Sequence, residues 1–312
     1  MQLATATNKR LKKDTPKGLI LYRGPSLWDD KPIVVIANKL AQGSDNRKTG
    51  ELIQVWILSD NGEKPSDALY KSGLSRSVCG DCPNDALGTC YVNVGQAPNS
   101  VYRAYLSGSY VDYDAQQHSD LFEGRLIRLG AYGDPATVPI SVWDAIVPLC
   151  AGNTGYTHQW RKEYAQDYKR YCMASADSQL DYIEAKRLGW RTFRVCASDD
   201  DSANKREVVC PAAEESTAAT KKTCEECLMC NGLGSAKAPD VRIKVHGLDW
   251  KTKRFNQAMP CIAKRDSAAL AKLTPLTMSA RPYPKTDAKR TDLASRQVAQ
   301  RLIDWAPNRE DI

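Results

Sequence analysis

Seven of the eleven cysteines fall into two tight groups, Cys79-x2-Cys82-x7-Cys90 and Cys210-x13-Cys224-x2-Cys227-x2-Cys230. Thiolates two residues apart lie on one side of a turn, close enough to share an ion or cluster but poorly placed for disulfides with each other. The chemistry this spacing serves is metal or iron–sulfur ligation. Cys224, Cys227 and Cys230 match the ferredoxin-type run for a four-iron cluster, whose remote fourth cysteine precedes a proline, as Cys210 precedes Pro211. Zinc is usually held by two pairs, and the second group has no clean second pair, so an iron–sulfur cluster is favoured over Zn2+ there. The first group offers three ligands, and an open fourth position would make it the more reactive site. The plainer reading is a folding staple built from both groups. Cys150, Cys172 and Cys196 sit in apolar or strand-like runs and read as buried small hydrophobes.

Further candidate chemistry comes from polar residues just past expected strands. The strands are Arg125–Ala131, Thr154–His158, Arg170–Ala174, Arg191–Cys196, Glu207–Cys210 and Val241–His246, with helices at Ile140–Leu149, Lys162–Lys169 and Gln179–Leu188. This alternation predicts an α/β fold of parallel β/α repeats in a complete or partial barrel, with a doubly wound sheet as the alternative. In a parallel barrel the carboxyl ends of the strands meet on one face. There Asp134, His158, Asp177 and His246 are candidate catalytic acid–base groups, with ligand Cys210 beside them. Asp and Ser after strands also serve as helix caps, and that is the expected use of Ser178. No GxGxxG follows a strand and the loop 43–50 has no Walker signature, so no nucleotide-binding fingerprint is present.

Pro32–Ala37 and Leu52–Leu58 predict an N-terminal strand layer, followed by a short helix around Val101–Tyr105 and an aperiodic tyrosine-containing loop at 107–119. The expected organisation is a basic arm over 1–17, the strand layer with the first cysteine group over 18–123, the β/α core with the second group over 124–260, and a basic helical tail over 261–312. Within that tail Leu293, Val298, Leu302 and Trp305 define an apolar helix face.

Charge is concentrated. Residues 242–290 hold twelve Lys or Arg against three Asp, a local +9 in a chain of net +7. Arg242, Lys244, Trp250, Lys251, Lys253 and Arg254 interleave cations with an aromatic ring, the mixture that contacts phosphates and stacks on bases, so nucleic acid is an expected partner. The basic run Asn8–Lys13 is a weaker candidate for the same role. No stretch approaches the ~20 apolar residues of a membrane span and no secretory h-region opens the chain, so no membrane partner and a reducing cytoplasm are expected. Cysteine groups of this spacing agree with that compartment.

Several of these motifs together resemble a known family. Asn46-Arg-Lys-Thr-Gly50, Val78-Cys79-Gly-Asp-Cys82-Pro83, Thr89-Cys90-Tyr91, Arg128-Leu-Gly-Ala-Tyr-Gly-Asp134 and Gly155-Tyr-Thr157 resemble the bacteriophage "gene 88" family over residues 45–250. The resemblance implies a phage-encoded protein acting in the bacterial host cytoplasm and carries over no catalytic residue. A cysteine triad ahead of a β/α repeat is also similar in outline to radical S-adenosylmethionine enzymes, whose Cys-x3-Cys-x2-Cys spacing differs from the one here. Three functions follow: a metal-binding protein acting on or bound to nucleic acid, a redox or radical enzyme using the first cysteine group, and a rolling-circle nickase using His158 with Tyr164, Tyr168 or Tyr171. The nickase motif's second histidine position is occupied by Trp160.

Overall fold

The computed structural model describes residues 15–41, 48–234 and 237–263. The basic run at 8–13, the helix expected near 293–305 and most of the basic tail lie outside the described residues.

Three strands open the fold: β1 (Gly18–Pro25), β2 (Pro32–Asn38) and β3 (Ile53–Ser59), antiparallel in that order. The run Ile33–Ala37 is buried at every position, as an apolar strand covered on both faces requires. β4 (Val111–Asp112) pairs with β1 at one edge, while β5 (Leu126–Tyr132) lies parallel to β3 and β6 (Gly152–Thr154) parallel to β5. The N-terminal strands are therefore continuous with the first of the later parallel strands rather than forming a separate layer.

The second sheet is parallel throughout. It contains β7 (Tyr156–Thr157), β8 (Met173–Ala176), β9 (Thr192–Cys196), β10 (Glu207–Val209) and β11 (Asp240–Lys244), in the order β10-β11-β9-β8-β7. Only Gly155 separates β6 from β7, and its carbonyl accepts the Met173 amide at 2.9 Å, so the sheets adjoin at this residue. From β3 through β5, β6/β7, β8, β9 and β11 the strands run parallel and in chain order. The fold is thus mixed α/β with runs of parallel strands in both sheets, as expected. No pairing among the described residues joins the outer strands β4 and β10, so the pairing does not close a barrel.

Helices fill the crossovers. Ile140–Ile146 lies between β5 and β6, Gln179–Arg187 between β8 and β9, and Asp249–Ala263 follows β11. Ser178 caps the second of these, its Oγ accepting the Asp181 amide at 3.1 Å. The expected helix at 162–169 is a 3-10 run, Glu163–Arg170. Trp143 and Trp160 anchor the core, each fully buried with its indole N–H donated to a carbonyl, Pro135 at 2.9 Å and Ser175 at 2.8 Å.

One irregularity shapes the cavity described below. Gln54 pairs with Arg128 and Trp56 with Tyr132, so three residues of β5 oppose one of β3 and the strand bulges before turning at Gly133. Gly133 has φ +86°, and a Cβ there would stand 2.6 Å from the Ile57 Cβ and 2.8 Å from its carbonyl oxygen. Gly133→Ala is expected to cost about 2–4 kcal/mol, left-handed strain plus overpacking, measured as a lower midpoint in urea denaturation.

Candidate functional site

The carboxyl ends of the parallel strands open on a cavity of about 370 Å³. Both cysteine groups reach it, Cys79, Cys82 and Cys90 from the crossover after β3, and Cys210 and Cys224 from the crossover after β10. Asp134, His158 and His246 line it as well, so the expected gathering of strand-end residues is observed for these.

The first cysteine segment is folded by short-range chemistry. Cys79 closes the turn Arg76–Cys79, and Cys82 precedes the helical turn Pro83–Leu87. Between them Gly80 takes φ +59° and ψ −130°, a region open only to glycine, and a Cβ there would overlap the Gln159 side-chain amide. The Asn84 carbonyl then accepts the amides of Thr89 at 2.8 Å and Cys90 at 3.1 Å, which turns Cys90 back toward the pair.

His158 supports this segment from β7. Its Nε2 lies 3.1 Å from Asp177 Oδ2 and 3.8 Å from the Cys82 sulfur, and Asn84 Nδ2 donates to Asp177 Oδ1 at 3.3 Å. Burial works against a charged imidazole here, but Cys82 and Asp177 outweigh it and hold His158 well above its ordinary value. Asp177 lies behind His158 rather than on the cavity wall. Asp134 has a different task from the acid–base one expected. Its Oδ1 accepts the Ala136 amide at 2.9 Å and its Oδ2 the His158 amide at 2.7 Å, so the carboxylate clamps backbone and places His158.

The second cysteine segment is held at more points. Cys210 extends β10 by donating its amide to Arg242 O at 2.8 Å. Cys224–Cys227 is a single helical turn with a capping box, in which Thr223 and Glu226 each accept the other's amide. Cys224 donates its amide to Lys48 O at 2.8 Å, and Cys230 O accepts from Gly155 at 2.9 Å, fixing the segment to the junction between the sheets. Arg191 binds the carbonyls of Met229, Gly232 and Pro239.

Thiol electrostatics match the grouping. Burial, with Cys82 next to it, pushes Cys90 up to about 11. Burial pushes Cys230 up to about 12, with Cys210, Cys224 and Cys227 adding to the rise. The second group's four thiols thus lie within electrostatic range of one another. The ten cysteines whose side chains are described are free thiols, and among the described residues no three His, Cys, Asp or Glu side chains are gathered into a coordination shell.

His246 also lines the cavity. Its Nδ1 faces the Lys244 carbonyl at 3.1 Å and its Nε2 faces Lys48 Nζ at 3.2 Å; burial and then the Lys48 charge lower its pKa. Arg128, on the bulged strand, donates to the Tyr91 hydroxyl at the cavity mouth. Arg128 and Lys48 lie within motifs noted in the sequence, but their place at the cavity depends on contacts remote along the chain.

The expected nucleic-acid contacts divide. Arg242 and Lys244 are half-buried in β11, and Lys244 pairs with Asp201 at 2.7 Å. Trp250 and Lys253 are exposed. Lys251 and Arg254 are not surface cations: both are buried, and Lys251 Nζ donates to the carbonyls of Cys90 and Val92 at 2.5 and 3.0 Å. The reason is periodicity, since 251, 254, 255, 258 and 262 form the buried face of the helix Asp249–Ala263. Of the tyrosines expected for a nickase, Tyr164 is exposed, while the other two are tied to partners. Trp160 is core, Tyr168 is buried with its hydroxyl donated to Val138 O, and Tyr171 is tied to Asp144 at 2.7 Å.

Compared with known proteins, the chain matches no protein family, no curated protein and no solved structure. No helix among the described residues is long and apolar enough to cross a membrane.

Proposed function

We propose that the cavity is the active site of an iron–sulfur enzyme of redox or radical type. On this reading β3, β5, β6/β7, β8, β9 and β11 curl as a partial barrel, Cys79, Cys82 and Cys90 hold one centre, and Cys210, Cys224, Cys227 and Cys230 hold a second. The observation that carries it is that two cysteine groups remote in sequence open on one cavity at the carboxyl ends of parallel strands. A pair of folding staples has no need of a shared cavity.

A three-cysteine centre would offer the cavity a metal position free of protein ligands, the chemistry of electron transfer to a bound molecule. The chain's own residues orient it. His158 braces the Cys82 sulfur, Asp177 fixes the ring, and Asp134 fixes the His158 backbone, a supporting shell of the kind that sets ligand geometry. The reading does not extend to nucleic acid, for which Trp250 and Lys253 are the exposed candidates.

Anaerobically purified Cys82→Ser and Cys227→Ser variants test it. Each is expected to lose the iron and sulfide of its own group and keep those of the other, with Cys82→Ser still folded by circular dichroism. Full iron retention in both variants would refute the ligand assignment.

A further inference from the structure

We infer that the cavity binds an organic anion, its phosphate or carboxylate held by Arg128 and Lys48 and its apolar body laid against Tyr91, Tyr156 and Phe193. The inference takes from the proposed function only that this cavity is the site.

Charge on the wall is one-sided. Among the described residues Asp134 is the only carboxylate lining the cavity, and both its oxygens accept backbone amides. Lys48 and Arg128 line the same cavity. Arg128 Nη2 donates to the Tyr91 hydroxyl, whereas its buried Nε has no hydrogen-bond acceptor among the described residues. A buried guanidinium N–H without an acceptor is costly, and an oxyanion bound against the Arg128 side chain would offset its charge with a charge-assisted bond. Lys48 supplies a second cation from the same wall, 3.2 Å from His246 Nε2.

Aromatic rings form part of the wall. Tyr156 and Phe193 pack with ring centroids 4.5 Å apart, and the Tyr91 ring lies 6.0 Å from the Arg128 guanidinium carbon. A volume of about 370 Å³ is within the range of small-ligand sites. Cations at one end and aromatic rings alongside select a ligand with an anionic head and an apolar or aromatic body.

Calorimetric titration of the full-length protein tests this with two anions, AMP and 4-hydroxyphenylacetate, and their uncharged counterparts, adenosine and 4-methylphenol. At least one anion is expected to bind, its counterpart at least about tenfold more weakly, the loss of one charge-assisted hydrogen bond. AMP alone would identify a phosphate ester, and the arylacetate alone a carboxylate. Arg128→Gln and Lys48→Gln are each expected to weaken binding by about tenfold or more. Failure of both anions, or equal binding of the uncharged compounds, would overturn the inference.

The same cations could instead serve only to offset thiolates of the second cysteine group. In that case the glutamine variants lose iron and keep their anion affinity, which also overturns it. For a variant that loses both, chelator-stripped wild-type protein is the reference: equal anion affinity overturns the inference, and a tenfold lower one upholds it. Wild-type protein that binds the anion but takes up no metal would sink the metal reading and leave this one standing.

Discussion

Arg194→Ala is expected to destabilise the protein by about 3–5 kcal/mol, because it strips the partner from a buried carboxylate. Arg194 and Glu207 have side chains 3% and 0% exposed, joined through Nε–Oε1 at 2.8 Å and Nη2–Oε2 at 3.0 Å. Asp200 adds a third contact at 3.2 Å and the Ser202 carbonyl a fourth at 2.8 Å. The pair ties β9 to the turn that begins β10, although these strands are not neighbours in the sheet. Replacing both Arg194 and Glu207 by leucine should cost less than the single change, since no uncompensated charge remains.

The same pair sets an acid limb. Burial alone would raise the Glu207 pKa, but Arg194, with Asn204, outweighs it and holds the carboxyl below its ordinary value; Asp200 is lowered against burial by Ser202 and then by Arg194. A depressed folded-state pKa contributes stability that is complete above the unfolded value, about 4.3 for Glu, and is lost as pH falls through the folded value. Urea denaturation at pH 7 should therefore show the full gap between wild type and Arg194→Ala, and the gap should narrow below about pH 4. An unchanged midpoint at pH 7 would contradict the role given to this pair.

Arg191→Ala is expected to loosen the second cysteine segment. The Arg191 side chain donates to Gly232 O at 2.7 Å, Met229 O at 2.7 Å, Pro239 O at 2.5 Å and Asn231 Oδ1 at 3.1 Å. Alanine would leave three carbonyls without this donor, a loss of about 3 kcal/mol at roughly 1 kcal/mol for each. Hydrogen exchange should localise the change to residues 228–233, and the metal content of the second group should fall with it. Arg191→Lys, which keeps the charge but cannot reach all these carbonyls at once, is expected to recover only part of both. Exchange rates unchanged in this loop would remove Arg191 from the account.

Much of the parallel framework was legible in the chain because short apolar runs bounded by turn residues are local signals. Thr192–Cys196, Glu207–Val209 and Asp240–Lys244 fall where alternation placed them. β8 lies at Met173–Ala176, later than the expected Arg170–Ala174, because Arg170 and Tyr171 are drawn outward to Asp144. β1 escaped notice since Tyr22, Arg23 and Gly24 interrupt its apolar pattern. The helix Asp249–Ala263 misled differently. Its basic residues suggested a surface, whereas Lys251 and Arg254 lie on the helical face that packs inward.

The candidate site was legible as residue types but not as a shape. Cysteine spacing identifies two groups, and only the crossovers after β3 and β10 bring both to one cavity. His158, a histidine just past a strand, lines the cavity. Asp134, also just past a strand, proved a backbone clamp, since a carboxylate after a strand serves equally well as a cap. Arg128 and Lys48 lie in motif segments of the sequence, yet they and Arg191 acquire their roles from partners far away in sequence, which no local pattern reveals.

The central claim is that the two cysteine groups hold iron–sulfur centres at one cavity. Iron, zinc and acid-labile sulfide analysis of anaerobically purified wild-type protein, with its absorption spectrum, tests it most directly. The account predicts iron and sulfide in comparable amounts with a broad absorption band that bleaches on reduction. Zinc without sulfide would contradict the redox or radical reading, and protein free of metal would contradict the ligand assignment itself.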